Sequence, residues 1–140
     1  MLVVEPAGDE DMLGVMRLAG DALQTDPSTW QLHRPCCMIA KDVATGRLAG
    51  FALADRDACE GHLLALAVDG GQRGLGIGGR LLERVRYQMQ REGALRMHLD
   101  VRAHDVVTQD FYRRHGFHAE GLQQRAYPDG EDAVHFARPL

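Results

Sequence analysis

The residues best able to do chemistry lie between Val68 and Arg80, where the chain reads VDGGQRGLGIGGR and five of the nine residues 70–78 are glycine. An apolar strand, His62 to Val68, leads into this stretch, and a helix with Leu81, Leu82, Val85 and Met89 on its apolar stripe leads out of it. A glycine-rich backbone at a helix N-terminus presents unpaired N–H groups, and the helix dipole adds positive potential there. That combination attracts anions, phosphate above all. The expected chemistry is the binding of a phosphorylated ligand by the backbone of Arg73, Gly74, Leu75, Gly76, Ile77 and Gly78. A side chain at Gly74, Gly76 or Gly78 would block close approach or disfavour the φ that the loop needs.

Three phosphate-binding patterns compete for these residues. A P-loop is excluded, because no Gly-Lys-Ser/Thr occurs. Gly74, Gly76 and Gly79 spell the G-x-G-x-x-G of a dinucleotide site, with Asp100 21 residues beyond Gly79. The context argues against it. Five residues, Asp69 to Arg73, follow the strand before the first of these glycines, and three strands already precede it. The dinucleotide motif turns tightly out of the strand that begins its βαβ half. The third pattern is R-x-x-G-x-G, from Arg73 through Gly76 to Gly78.

The elements that must position the loop follow from periodicity and breakers. Leu2–Glu5 reads as a strand ended by Pro6, and Asp9–Leu23 as a helix with Met12, Val15, Met16 and Ala19 on one face. Gln24–Pro35 is irregular, and Cys36–Val43 and Leu48–Ala54 form a hairpin around Ala44-Thr45-Gly46-Arg47. Then come a strand, Glu60–Val68, a helix, Gly78–Glu92, stopped by Gly93, and a strand, Arg96–Val101. A last helix, Asp105–His115, stops at Gly116 and is followed by strands Phe117–Tyr127 and Ala133–Pro139 around a Pro128-Asp129-Gly130 turn. Hairpins mixed with a parallel crossover predict a mixed α/β sheet in a single domain, 1–140.

Composition narrows the partners. A net charge of −4 without a run of Lys or Arg argues against nucleic acid. No segment approaches about 20 apolar residues, so no membrane span is expected. The N-terminus lacks the basic and apolar regions of a signal peptide, which predicts a cytoplasmic protein. Cys36, Cys37 and Cys59 have neither disulfide nor zinc spacing and are expected as reduced thiols in or near the core. The seven histidines form no H-E-x-x-H or Cys/His cluster, so no metal is expected.

With Arg73, Gly76 and Gly78 in this pattern, the chain resembles the GNAT superfamily of acetyl-CoA-dependent N-acetyltransferases. A second stretch strengthens the resemblance: VRAHDVVTQDFY, Val101 to Tyr112, followed by Gly116-Phe117. Here a strand ends, a helix begins, and a tyrosine precedes a Gly-Phe strand start. The likeness runs from Glu60 to Leu140. LDVRAHD at 99–105 and the closing YPDGEDAVHFARPL look most like the ribosomal-protein alanine N-acetyltransferases, which modify the α-amino group at a protein N-terminus. The resemblance implies a mostly antiparallel mixed sheet, flanked by helices, with a central splayed parallel pair, here Glu60–Val68 and Arg96–Val101. The pantetheine arm of acetyl-CoA would lie between these strands, with Ala67 and Val68 offering it backbone groups.

The resemblance also implies roles. Tyr112 occupies the general-acid position, and a tyrosine of pKa ~10 stays protonated at neutral pH and can donate to the departing thiolate. Asp100 stands where the resembling enzymes carry the glutamate taken as general base. Strand alternation sets it on the face opposite Leu99 and Val101, and its side chain is one methylene shorter, so its reach to the amine calls for a bridging water. Glu60 and His62 are alternative bases. Asp105 stands where the family has an asparagine that helps to bind the pantetheine arm. It caps a helix equally well but cannot donate a hydrogen bond when ionised. Trp30 either borders the acceptor site or caps the core. Asp129, Glu131 and Asp132 either border that site or form a solvated turn. The expected function is acetyl transfer from acetyl-CoA to a primary amine, first among them a peptide or protein N-terminal α-amine. The alternatives are a small-molecule amine acetyltransferase and a non-catalytic acyl-CoA-binding module. The protein is expected as a monomer or homodimer.

Overall fold

A computed structural model describes residues 1–22, 36–72, 74 and 76–140, with the backbone alone at 20–22. Its strands are β1 (Leu2–Pro6), β2 (Cys36–Asp42), β3 (Leu48–Asp57), β4 (Glu60–Val68), β5 (Arg96–Arg102), β6 (His118–Gln123) and β7 (Ala133–Pro139). Its helices are α1 (Met12–Ala22), α2 (Ile77–Arg91) and α3 (Val106–Arg114). The strands form one sheet in the order β1-β2-β3-β4-β5-β7-β6. Of its neighbouring pairs only β4 and β5 run parallel.

Apolar residues on the two faces of the sheet build two cores. On one face, Val15 and Ala19 of α1 pack on Ile39, Phe51, Leu53, Ala65 and Ala67. On the other, Leu81, Leu82, Val85 and Met89 of α2 and Tyr112 of α3 pack on Ala52, Leu63, Met97, Leu99 and Phe136. Each large side chain so buried contributes about 1.5–3 kcal/mol.

The feature that matters for function is a break in β4. Leu53 pairs with Ala65 but Ala54 pairs with Leu63, which leaves Leu64 as an extra, bulged residue. The bulge switches the alternation of β4, so that Leu63 faces α2 while Ala65 and Ala67 face α1. It also bends the strand. The β4–β5 ladder stops just before it: only Glu60, Gly61 and His62 pair, with Arg96, Met97 and His98. Both strands then continue, to Val68 and Arg102, without pairing to each other. This is the splayed parallel pair.

Several boundaries differ from the sequence reading. Pro6 belongs to β1, paired with Met38, as an edge strand allows. The first helix begins with a 3₁₀ turn, Asp9–Asp11. Strand β6 ends at Gln123, short of the expected Tyr127. Arg125 there has φ 52°, and its N–H donates to the Asp132 carboxylate rather than to a ladder partner. Cys36 and Cys37 are half-buried, and burial pushes their thiols up to about 11 and about 12. Cys59 is exposed beside the β3–β4 turn, contrary to expectation. Gln24–Pro35, with Trp30, lies outside the described residues.

Asp11 is one of two buried polar residues among the described residues and ties the start of α1 to β2. Its carboxylate accepts from Gly8 N and from Lys41 Nζ, both at 2.9 Å. The lysine, then the Gly8 amide, holds its pKa below the usual carboxylate range. A depressed folded-state pKa gives stability that is present above the unfolded value and is lost as pH falls through the folded one. Asp11→Asn is therefore expected to lower the melting temperature at pH 7 by roughly 5 °C. Melting curves of both proteins should converge as the pH drops below the unfolded carboxylate pKa. A constant gap would show that charge plays no part.

Candidate active site

The glycines of the loop divide into two groups. Gly76 is the N-cap of α2, in left-handed backbone at φ 76°, and no side chain caps the helix there. Gly74 has φ 83°. A Cβ at either position would meet nothing within 4 Å. Two left-handed residues fronting open space at an uncapped helix start suit a pyrophosphate held by backbone N–H groups. Gly78 and Gly79 also answer a packing need. A Cβ on Gly78 would meet Phe111 at 3.5 Å and Val68 Cγ2 at 3.6 Å, and one on Gly79 would meet His115 Cε1 at 3.0 Å. Ile77, 2% exposed, anchors the turn in the core. Arg73 and Leu75 lie outside the described residues. Beside the loop, an open cavity of about 550 Å³ runs along α2, lined by Arg80 and Arg84 together with Glu83.

Ala67 and Val68 end β4 beyond the last pair with β5, Ala67 toward the α1 core and Val68 toward the α2 core. The loop therefore opens beside the gap between these strands.

Tyr112 lies on the α2 and α3 side of the gap, in the core with Leu99 and Val101. It is 6% exposed and packs edge-to-face on Phe111 and Phe117, with centroids 5.1 and 5.7 Å away. Of the two adjacent aromatics, Tyr112 is the more buried and Phe111 the less. Burial, and then the Asp105 charge, push its pKa upward. Among the described residues nothing hydrogen-bonds its hydroxyl. Asp105 is committed to α3: it accepts from Thr108 N at 3.1 Å and from Thr108 Oγ1 at 2.7 Å.

Asp100 lies on the opposite face, as alternation predicts: it is exposed while Leu99 and Val101 are buried. It is not alone there. His135 of β7 sits directly across the ladder and donates from Nδ1 to Asp100 Oδ1 at 2.8 Å, since a carboxylate only accepts. The His135 ring lies 5.3 Å from His98, and His98 stacks on His62 at 4.6 Å with the planes 10° apart. Three imidazoles thus cross β4, β5 and β7 and end at Asp100. Two protonated rings 4.6 Å apart would repel by about 3–4 kcal/mol at an effective dielectric of 20. Burial, then His62 and His135, push the His98 pKa down. Its Nδ1 is buried without a hydrogen-bond partner. Glu60 and His62 begin β4 on the same side. The row was missed in the sequence, although its signal was present: His62 falls on the outward positions of its strand, as His98 does with Asp100.

The acids of the last hairpin are occupied. Arg102 pairs with Asp129 and Glu131, each at 2.8 Å, and lies 4.0 Å over the Tyr127 ring. Arg102, helped by His104, holds the Glu131 pKa down at about 2. Asp132 accepts from Arg125 N.

The structure thus sets an uncapped glycine turn at the open end of a bulged, splayed parallel pair, with Tyr112 packed on one side of the sheet and Asp100 exposed on the other. The chain belongs to the acetyltransferase (GNAT) family, whose model matches residues 13–117. It is 30% identical over 140 residues to an uncharacterised N-acetyltransferase of Methanocaldococcus jannaschii, covering 95% of this chain and 88% of that one. It is 32% identical over 98 residues to the ribosomal-protein-alanine N-acetyltransferase of Escherichia coli, covering 68% and 66%. The crystal structure of the ribosomal-protein-alanine N-acetyltransferase from Escherichia coli superposes with a TM-score of 0.88 at 24% identity, covering 100% of this chain and 94% of that one. The protein transfers an acetyl group from acetyl-CoA to an amine.

Proposed function

We propose that the acceptor is the α-amine at a peptide or protein N-terminus, with Tyr112 as general acid and Asp100 at the basic end. The observation that carries this reading is the occupied hairpin. Arg102 pairs with both Asp129 and Glu131, so these two carboxylates are engaged within the hairpin rather than standing free for a polycationic small amine. The M. jannaschii relative is named only as an N-acetyltransferase, while the E. coli one acts on a ribosomal-protein alanine. Acid–base demands point the same way. An α-amine of pKa ~8 is about one fifth neutral at pH 7.4, whereas a lysine at ~10.4 is roughly 0.1% neutral. A carboxylate-based acceptor copes far better with the first.

Acetyl-CoA supplies the thioester carbonyl. The backbone from Arg73 to Gly78 anchors its phosphates, and Ala67 and Val68 offer backbone groups to the arm in the gap. Tyr112 and Asp100, on opposite faces of β5, then flank that gap from its two sides. Asp100 removes the proton from the amine, directly or through a bridging group, and Tyr112 gives one to the leaving sulfur.

The test is a panel of N-terminal peptides, polyamines, aminoglycosides and free amino acids, with acetylated products read by mass. Peptides acetylated on the α-amine should dominate. Transfer to a small amine alone would overturn the assignment. Asp100→Asn should lower turnover near neutral pH and recover much of it as the pH rises, because more amine is then deprotonated without help. Asp100→Glu should be tolerated. Parallel profiles with equal rates would move the base to Glu60 or His62.

A further inference from the structure

We propose that His135 is the bridging group: its Nε2 accepts the proton of the acceptor amine, and Asp100 is the residue that positions it. This rests on Asp100 standing at the basic end of the acetyl transfer proposed above.

The geometry supports it in three steps. First, the Asp100 carboxylate accepts from His135 Nδ1 at 2.8 Å, which fixes the proton on Nδ1 and leaves the Nε2 lone pair as the ring's acceptor. Among the described residues no group pairs with Nε2. Second, the carboxylate is short. An aspartate on β5 reaches less far from the sheet than a glutamate, and an imidazole hydrogen-bonded to it extends that reach by a ring's width. Third, the ring is held. The β5–β7 ladder sets His135 opposite Asp100, and the tilted contact with His98, itself stacked on His62, supports one side of it. Its side chain is still 36% exposed, so the proton it takes can leave to solvent.

The step balances. One N–H bond of the amine breaks and a proton–Nε2 bond forms. The electron pair stays on the nitrogen that attacks the thioester carbonyl, and the imidazolium faces the Asp100 carboxylate. No proton passes to Asp100 in this step.

The charged and titratable surroundings are mixed. Glu60 and His62 come from β4, and Arg96, His98, Asp100 and Arg102 from β5. Tyr127 comes from the connection before β7, where burial and then Asp100 push its pKa up. On β6, the residue opposite His135 is Gly121, which brings no charge. At His98 the neighbouring His62 and His135 disfavour the charged ring, whereas Glu60 and Asp100 favour it.

The experiment compares the unmodified protein, His135→Gln, Asp100→Asn and the double variant, with acetyl-CoA and one α-amino peptide, over a range of pH. His135→Gln should lose about 10²-fold in kcat near neutral pH with little change in KM for acetyl-CoA, and should lose the acidic limb. The double variant should be no worse than His135→Gln, because the two residues act as one unit. His135→Gln with the acidic limb intact and less than threefold loss would overturn the proposal and return the proton to Asp100 directly. Nitrogen NMR of the unmodified protein provides a second readout that needs no variant. The Nδ1–H tautomer is expected at His135, and an Nε2–H tautomer would overturn the proposal. If the unmodified protein acetylates no α-amine, the functional reading fails instead, and the tautomer still reports on the pair.

Discussion

Replacing Gly76 with glutamate is expected to abolish acetyl-CoA binding while leaving the chain folded. Two costs must be weighed. The backbone at Gly76 is left-handed, with φ 76°, and a side chain there is strained by about 1–2 kcal/mol. No atom lies within 4 Å of the new Cβ, so no clash adds to this. A carboxylate at the uncapped start of α2 recovers part of the strain by facing the helix dipole. Folding therefore survives. Binding does not, because the same carboxylate occupies the place meant for phosphate. One negative charge about 5 Å from another, at an effective dielectric of 20, costs about 3 kcal/mol, which is more than 10²-fold in affinity for each phosphate charge so placed. Gly76→Ala adds the strain without the charge and should weaken binding several-fold. Calorimetric titration with acetyl-CoA, alongside melting curves, separates these outcomes. Unchanged affinity in a folded Gly76→Glu protein would take the ligand away from this loop.

The loop was readable in the sequence because its chemistry is local: glycines, the preceding strand and the following amphipathic helix are contiguous. The same holds for β4 and β7, whose bounds match the reading, Glu60–Val68 and Ala133–Pro139. Alternation also set Asp100 on the face away from Leu99 and Val101. What stayed hidden depends on register. HLLALAV reads as an unbroken apolar strand, and nothing in it announces that Leu64 is bulged and that the faces switch there. The imidazole row was hidden for the same reason. Asp100 and His135 are 35 residues apart, and only the β5–β7 ladder brings them together. The sequence leaves Asp129 and Glu131 open between a solvated turn and the border of the acceptor site, because Arg102, on another strand, supplies their partner. Gly78 was read as a phosphate residue alone, and its contact with Phe111 appears only once α2 and α3 are packed.

Removing the hydroxyl of Tyr112 is expected to lower turnover by about 10²-fold with almost no change in stability or in acetyl-CoA affinity. Tyr112→Phe keeps the ring, so the edge-to-face contacts with Phe111 and Phe117 remain. Among the described residues the hydroxyl has no hydrogen-bond partner, so its loss leaves no buried group unsatisfied. Whatever activity disappears is then owed to the proton that this group donates. Burial and the Asp105 charge both raise the phenol's pKa. The phenol therefore remains a donor at neutral and moderately alkaline pH, and the basic limb of the rate profile should not move when it is removed. Without it, the CoA sulfur must depart as a free thiolate in a poorly solvated gap, or take a proton from water. The measurements are kcat with the chemical step shown to limit turnover, the acetyl-CoA dissociation constant and the melting temperature. A loss below threefold would return Tyr112 to the core as a packing residue, its ring held between Phe111 and Phe117. A large loss with weakened acetyl-CoA affinity would assign its hydroxyl to binding instead. A large loss in kcat alone would make it the acid across the gap from the basic pair on the other face of β5.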